Sequence, residues 1–220
     1  MWANILKYQS TNVSLLTFNN AFSGTYHKIG GRCDSAAERS TSDRRIMTKV
    51  ITPTDTEVFF REEEIIVSKT DLKGRLTYVN QQFCEIANYT EAELMGQPHS
   101  VIRHPDMPRA VFKLLWDTIL ERREIFAYVK NMTKSGDYYW VFAHVTPSYD
   151  QDKNIIGYHS NRRVPDRDVL KKTIAPLYSA ILQEENRHKN GQNALAAGFD
   201  FLTSFLKSKD TTYDALIFSL

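Results

Sequence analysis

The chain has 220 residues, 42% of them hydrophobic and 25% charged, with a formal net charge of +2. That balance excludes the one-sided basic field of a nucleic-acid-binding surface and suits one good core with material left over at the ends. No apolar run approaches the roughly 20 residues that span a bilayer, and two cysteines, Cys33 and Cys84, are too few for a disulfide framework or a zinc knuckle, so a reducing cytoplasm is the expected location.

In chain order, residues 1–46 differ from the rest. The stretch SGTYHKIGGRCDSAAERSTSDRR is rich in Gly, Ser and Arg and nearly free of aliphatic residues. We expect it to be disordered, or to lie upstream of a true start at Met47. From Glu64 the pattern is regular. IIVSKTD, a turn at LKGR around Gly74, and LTYVN predict a strand hairpin. In QQFCEIANY, residues Phe83, Ile86, Ala87 and Tyr89 follow a helical spacing, and Cys84 is a small buried hydrophobe there. Thr90 with Glu93 three residues on predicts a capping box, and Gly96 and Pro98 close that element.

The hexapeptide RHPDMP, residues 103–108, then concentrates charge and rigidity. Pro105 and Pro108 fix φ and lower the entropy cost of ordering the corner. Arg103 offers a planar fork suited to phosphate. Asp106 is expected to hold that guanidinium or to cap the helix that opens at Pro108. The plainer reading is an Arg103–Asp106 surface pair plus a helix cap. The helix itself presents Val111, Leu114, Leu115, Thr118 and Ile119 on one face.

Alternation follows. EIFAYVKNMTK turns at SGD into YYWVFAHVTPSYD, with Tyr138, Trp140, Phe142 and His144 on one face and Tyr139, Val141, Ala143 and Val145 on the other. QDKN turns into IIGYHSNRR. Two strands, short helices, one longer helix and three strands predict an α+β fold: a single five-stranded antiparallel sheet with short helices on one face. The cavity between the layers is where a small ligand is expected.

Beyond Arg163 the chain predicts C-terminal helices. Asp166 is a cap, and Leu170, Ile174, Leu177 and Ile181 form a stripe that Pro176 is expected to break. NALAAGFDFLTSFLKS predicts a second amphipathic helix, and TTYDALIFSL ends on apolar residues. The tail either packs back onto the domain or docks a partner. No kinase, cyclase or DNA-reading unit fits residues 164–220, so output through contact with another protein is expected.

Four stretches carry a resemblance: TDLKGRLTYVNQQFCEIANYTEAELMGQPHSVIRHPDMP, LW at 115–116, VKNMTKSGDYYWV at 129–141 and IIGYHSNR at 155–162. Together, over about residues 64–163, they resemble the PAS domains, and among those the FAD-binding sensors of bacterial aerotaxis and energy-taxis proteins. The resemblance implies a PAS sensor domain over 47–163 with a C-terminal helical tail over 164–220. It implies non-covalent FAD, whose redox state reports oxygen or electron-transport status. It also implies that Arg103, His104 and Asp106 are needed for flavin retention, that Asn131 hydrogen-bonds the isoalloxazine edge and that Trp116 stands beside the pocket.

One departure bears on the ring. Many relatives have a Pro-Trp pair where this chain has Glu124 and Ile125, so stacking is expected from Phe126 or Trp140. Where light-sensing relatives carry a reactive cysteine, this chain reads IRHPD, which excludes that chemistry. Trp116, Trp140 and Asn131 each have an ordinary core reading as well. His104 keeps a haem-based gas sensor open as an alternative, and a cofactor-free PAS dimerisation adaptor is another. His144 and His159 lack the carboxylates of a metal site. No nucleophile–base pair or phosphate loop is recognisable, so no enzymatic activity is expected. The partner implied is a chemoreceptor or other transducer, with a homodimer as a further expectation and neither nucleic acid nor direct membrane insertion.

Overall fold

A computed structural model describes residues 51–220. The expectations for residues 1–46 lie outside the described residues.

Strands β1 (Ile66–Thr70) and β2 (Leu76–Val79) form the first hairpin. Helix α1 (Gln81–Ala87) begins at Asn80, which ties three pieces of backbone together. Its side-chain oxygen accepts from the N–H of Val67 and of Phe83, and its amide donates to the Ile65 carbonyl. Helix α2 (Glu91–Leu94) has the predicted reciprocal capping box between Thr90 and Glu93. A 3-10 turn, His99–Ile102, leads to α3 (Arg109–Leu120). Strands β3 (Ile125–Met132), β4 (Tyr138–Tyr149) and β5 (Ile155–Arg163) complete the sheet.

The strand order is β2-β1-β5-β4-β3 with every pairing antiparallel. β5 is therefore central and β3 is an edge. The register sets Asn131 opposite Tyr139, Ser160 opposite Ser68, and Arg162 opposite Ile66 and Ala143. Because strand side chains alternate faces, Ile125, Ala127, Val129 and Asn131 share one face with Tyr139, Val141 and Ala143. Helices α1 to α3 cover that inner face with Phe83, Ile86, Leu94, Ile102, Val111 and Ile119, all buried.

The other face is covered by the tail. Helix α4 (Arg167–Val169) passes through one π-helical turn, Leu170–Ile174, into α5 (Ala175–Asn186). The predicted break at Pro176 is thus a widened turn: the Ala175 N–H reaches back to the Leu170 carbonyl, which accommodates the proline without ending the helix. Helices α6 (Gly191–Ser208) and α7 (Tyr213–Ser219) follow. Tyr178 of α5 donates to the Tyr128 carbonyl on the β3 edge at 2.9 Å, and Phe218 of α7 meets Phe126 edge-on with centroids 4.9 Å apart. Helices α5 and α7 thus pack back onto the domain.

Candidate ligand-binding interior

The corner at 103–108 is stitched to the edge of β3. Arg103 forms an isolated antiparallel bridge with Asn131, and the Lys130 N–H donates to Met107 Sδ at 3.2 Å. Arg103 and Asp106 do not pair. The Arg103 guanidinium lies over the Phe112 ring, 3.7 Å from its centroid, and its Nε is buried without a partner. Burial, and then repulsion from Arg109, lowers its pKa to about 10. Asp106 instead accepts from Lys130 Nζ at 2.7 Å.

Nor does Asp106 cap α3. Pro108 sits at the N-cap with no side-chain bond, and the first two helical N–H groups donate to Glu185 of α5, at 3.0 Å from Arg109 and 2.9 Å from Ala110. The surface-pair reading and the local cap are both corrected. A non-local carboxylate does the work expected of Asp106.

His104 Nδ1 accepts the Asp106 N–H at 3.1 Å, which puts the ring proton on Nε2, a buried atom with no partner. Burial, followed by the nearby Lys130 charge, lowers its pKa. Its ring packs edge-on against Tyr138, 5.9 Å between centroids. Tyr138 and Lys130 alternate with Tyr139 and Asn131, so His104 and Asp106 brace the corner from the outer-face side and do not line the interior.

Phe126 and Trp140 also belong to the outer face, and the stacking role expected of them is corrected. Phe126 stacks on His144 at 4.1 Å and on Phe142 at 5.8 Å, and meets Phe218 edge-on. Trp140 faces Tyr178 of α5 at 6.3 Å. Both faces of β3 and β4 are apolar, so alternation alone did not tell which was inward. His144 accepts or donates at Glu124 at 2.7 Å, and His159 at Asn161 at 3.1 Å. Among the described residues no group of three or more His, Cys, Asp and Glu is placed to hold a metal.

Trp116 does stand on the inner side. It meets Tyr158 edge-on at 5.3 Å and closes against Gly74, where an added Cβ would come within 3.2 Å of the indole. Tyr158 lies four residues before Arg162 on the same face of β5, roughly 13 Å along the strand, so Trp116 marks one end of the interior and Arg162 the other.

Arg162 is the residue that sequence reading missed. It is 3% exposed, on the central strand, and no carboxylate pairs with it among the described residues. Its Nη2 donates to Ser68 Oγ at 2.7 Å and contacts His99 Nε2, while Nη1 has no partner. Burial brings its pKa down to about 10. Burial and the positive charge of Arg162, then Arg103, hold His99 neutral, well below its ordinary value. The legible signal was a cation at inward parity in YHSNRR, two positions beyond Ser160 and four beyond Tyr158.

Four of the buried polar atoms without a partner sit at inward-facing positions: Arg162 Nη1, Ser160 Oγ, Asn131 Nδ2 and Tyr139 Oη, the last two on directly opposed residues that interact with each other. Arg103 Nε, His104 Nε2 and Tyr213 Oη are the others. Each orphan costs about 1–3 kcal/mol, and native interiors hold few of them. Burial pushes the Tyr139 hydroxyl far above its ordinary value, so it stays a neutral donor. In kind these donors match the carbonyl and imine acceptors on the edge of a planar heterocycle such as a flavin, while Phe83, Ile102 and Tyr139 occupy the space between sheet and helices. A surface cleft of about 510 Å³, lined by Arg122, Arg123, Glu124, Thr146, Pro147, Tyr149 and Asp214, lies elsewhere.

Residues 76–162 match the family profile described as the PAS fold. Over these residues the chain has the PAS fold. Its sequence is 40% identical over 121 residues to the aerotaxis receptor of Escherichia coli (strain K12), a match that covers 54% of this chain and 23% of that protein. It is 26% identical over 102 residues to the nitrogen fixation regulatory protein of Klebsiella pneumoniae, covering 46% of this chain and 21% of that one. The chain thus spans less than a quarter of the length of these curated relatives. Among solved structures, the dark structure of the blue-light photoreceptor Aureochrome1 LOV is similar at a TM-score of 0.45 and 20% identity, over 50% of this chain and 83% of that one. No helix among the described residues is long and apolar enough to cross a membrane.

Proposed function

We propose that this chain is a cytoplasmic redox or oxygen sensor that binds FAD between sheet and helices and signals by contact with a chemoreceptor or similar transducer. The observation that carries the reading is the buried, carboxylate-free Arg162 among unpartnered inward donors. The likeness to an aerotaxis receptor supports it. When bound, a flavin supplies a ring that gains electrons together with negative charge or a proton.

The residues then divide the task. Asn131 Nδ2 donates to the carbonyl edge of the ring. Arg162 compensates negative charge there, and Ser68 with neutral His99 fixes the guanidinium plane. Arg103, half-buried at the corner and in no ion pair among the described residues, draws the anionic part of the ligand. A change of charge beside Arg162 re-sorts the hydrogen bonds of β5, the central strand, from which both sheet neighbours take their register.

Absorption spectra of protein purified under native conditions test this. A flavin band in the wild type, weakened in Arg103→Ala, Asn131→Ala and Arg162→Met, is the expected result; undiminished occupancy in all three removes the site. Co-purification with a chemoreceptor, lost on removal of α6 and α7, tests the output.

A cofactor-free PAS adaptor is the second reading, and one observation favours it. Phe83, Ile102 and Tyr139 are essentially unexposed and fill the interior, so a ring ligand must displace at least one of them. A colourless protein that takes up no added FAD decides for the adaptor.

A further inference from the structure

Helix α3 starts without a local cap. Pro108 offers no side-chain acceptor, and Asp106, two residues earlier, is engaged with Lys130. The free N–H groups of the first turn are held by Glu185, 75 and 76 residues further along, with one carboxylate oxygen for each. Glu185 is 4% exposed, and no basic side chain pairs with it among the described residues. What compensates its charge is the positive end of α3 and its N–H donors.

Helix α6 is shaped around this carboxylate. A Cβ at Gly198 would come within 2.6 Å of Glu185 Cγ and Oε1, so only glycine leaves the space. Two further contacts join α3 to α6 and the residues leading into it. Lys113 Nζ lies 4.8 Å from the centre of the Phe199 ring, and Arg109 Nη1 reaches the Gly191 carbonyl at 3.5 Å.

The first turn of α3 also holds the ligand corner. Only Pro108 separates it from Met107, and its Phe112 carries the Arg103 guanidinium. One short path therefore runs from Glu185 through the amides of Arg109 and Ala110 to Phe112 and Arg103. We infer that Glu185 is a positioning residue through which the α5–α6 hairpin holds the Arg103 corner in its binding geometry, so that hairpin docking and ligand retention favour one another. The ligand's identity rests on the flavin reading; the mechanical link does not. Since coupling between two equilibria is reciprocal, a ligand change at the corner alters hairpin docking by the same factor as docking alters affinity.

The test uses the full chain and three variants: Glu185→Ala, Glu185→Gln and Gly198→Ala. Amide hydrogen exchange is followed at residues 103–112 and in β4 and β5, and FAD affinity is measured by titration. Glu185→Ala is expected to speed exchange at 109–112 by about tenfold or more, to speed the 103–107 corner with it, and to weaken FAD binding by a similar factor while β4 and β5 stay protected. Gly198→Ala reproduces this without touching the carboxylate, because the added methyl displaces it. Glu185→Gln keeps one acceptor and recovers part of both effects.

Unchanged exchange at 109–112 in Glu185→Ala overturns the inference, as does faster exchange there with the corner and FAD affinity unaltered, which makes Glu185 a structural cap alone. Should Glu185→Ala fail to fold, the same two criteria are read from Gly198→Ala and Glu185→Gln. If the wild type binds no FAD, the flavin reading fails by itself, and the inference stands or falls on whether corner exchange follows Glu185.

Discussion

The two faces of the sheet use the same strands in opposite ways. On the outer face Phe126, Tyr128, Trp140, Phe142 and His144 stack on one another and on the tail, and the edge carbonyl of Tyr128 has its donor in Tyr178. On the inner face, one residue out of phase, Asn131, Tyr139, Ser160 and Arg162 are buried with polar atoms unpartnered. The outer side is closed mostly by its own chain, although His104 Nε2 at the corner and Tyr213 Oη in the tail are also buried without a partner. A face with several orphaned donors has free energy in reserve for a ligand, because each hydrogen bond completed on binding removes a cost already borne by the fold.

Substitutions that separate stability from ligand affinity break or sharpen this contrast. The largest effect is expected for Arg162→Met. Losing the buried cation weakens FAD binding more than tenfold, yet leaves the ligand-free melting temperature unchanged or raised, since burying an apolar group in place of an uncompensated charge is often stabilising. A lowered melting temperature with unchanged FAD affinity makes Arg162 an ordinary structural residue.

Trp140→Ala is the mirror case. It removes packing against Tyr178 and lowers unfolding free energy by about 2–4 kcal/mol in urea titrations, with FAD affinity retained. Loss of FAD affinity beyond the stability effect returns Trp140 to the ligand site. A smaller effect follows from Tyr178→Phe, which strands the buried Tyr128 carbonyl and costs about 1–2 kcal/mol on the same titration.

The smallest is a pH effect on the inner-layer helices. Lys134, with the Thr90 backbone and hydroxyl, holds the exposed Glu93 carboxyl near 2 against its ordinary 4.5. The folded state binds that proton less readily than the unfolded chain, so the contribution is present above pH 4.5 and fades as pH falls toward 2. Glu93→Gln is expected to lower the melting temperature slightly at neutral pH, by a difference that shrinks to nothing as pH falls from 4.5 toward 2. A difference that persists unchanged at pH 2 contradicts the assignment.

How much of this was legible depended on range. The Thr90–Glu93 box and the hairpin at Gly74 are written within a few residues, and the five antiparallel strands followed from the alternation and turns, but the strand order, with β5 at the centre, and the Asn80 cap were not read. The division of β4 into two faces was also readable, but its polarity was not. The tail buries the outer aromatics, so both faces look like core, and Phe126 and Trp140 were placed on the wrong side. Asp106 was read as a local partner because proximity in sequence is all a single chain offers; Glu185 takes its place from a helix that folding alone brings near. Arg162 was passed over because a basic residue in a strand is ordinarily solvated, and only its central position in the sheet shows otherwise.

Titration of FAD into the full chain, stripped of any bound cofactor, tests the central claim most directly. A single saturable site in the wild type, lost or weakened more than tenfold in Arg162→Met, is the expected result. Absence of saturable uptake, or equal uptake by both proteins, contradicts the claim that the unpartnered inner face is a ligand site.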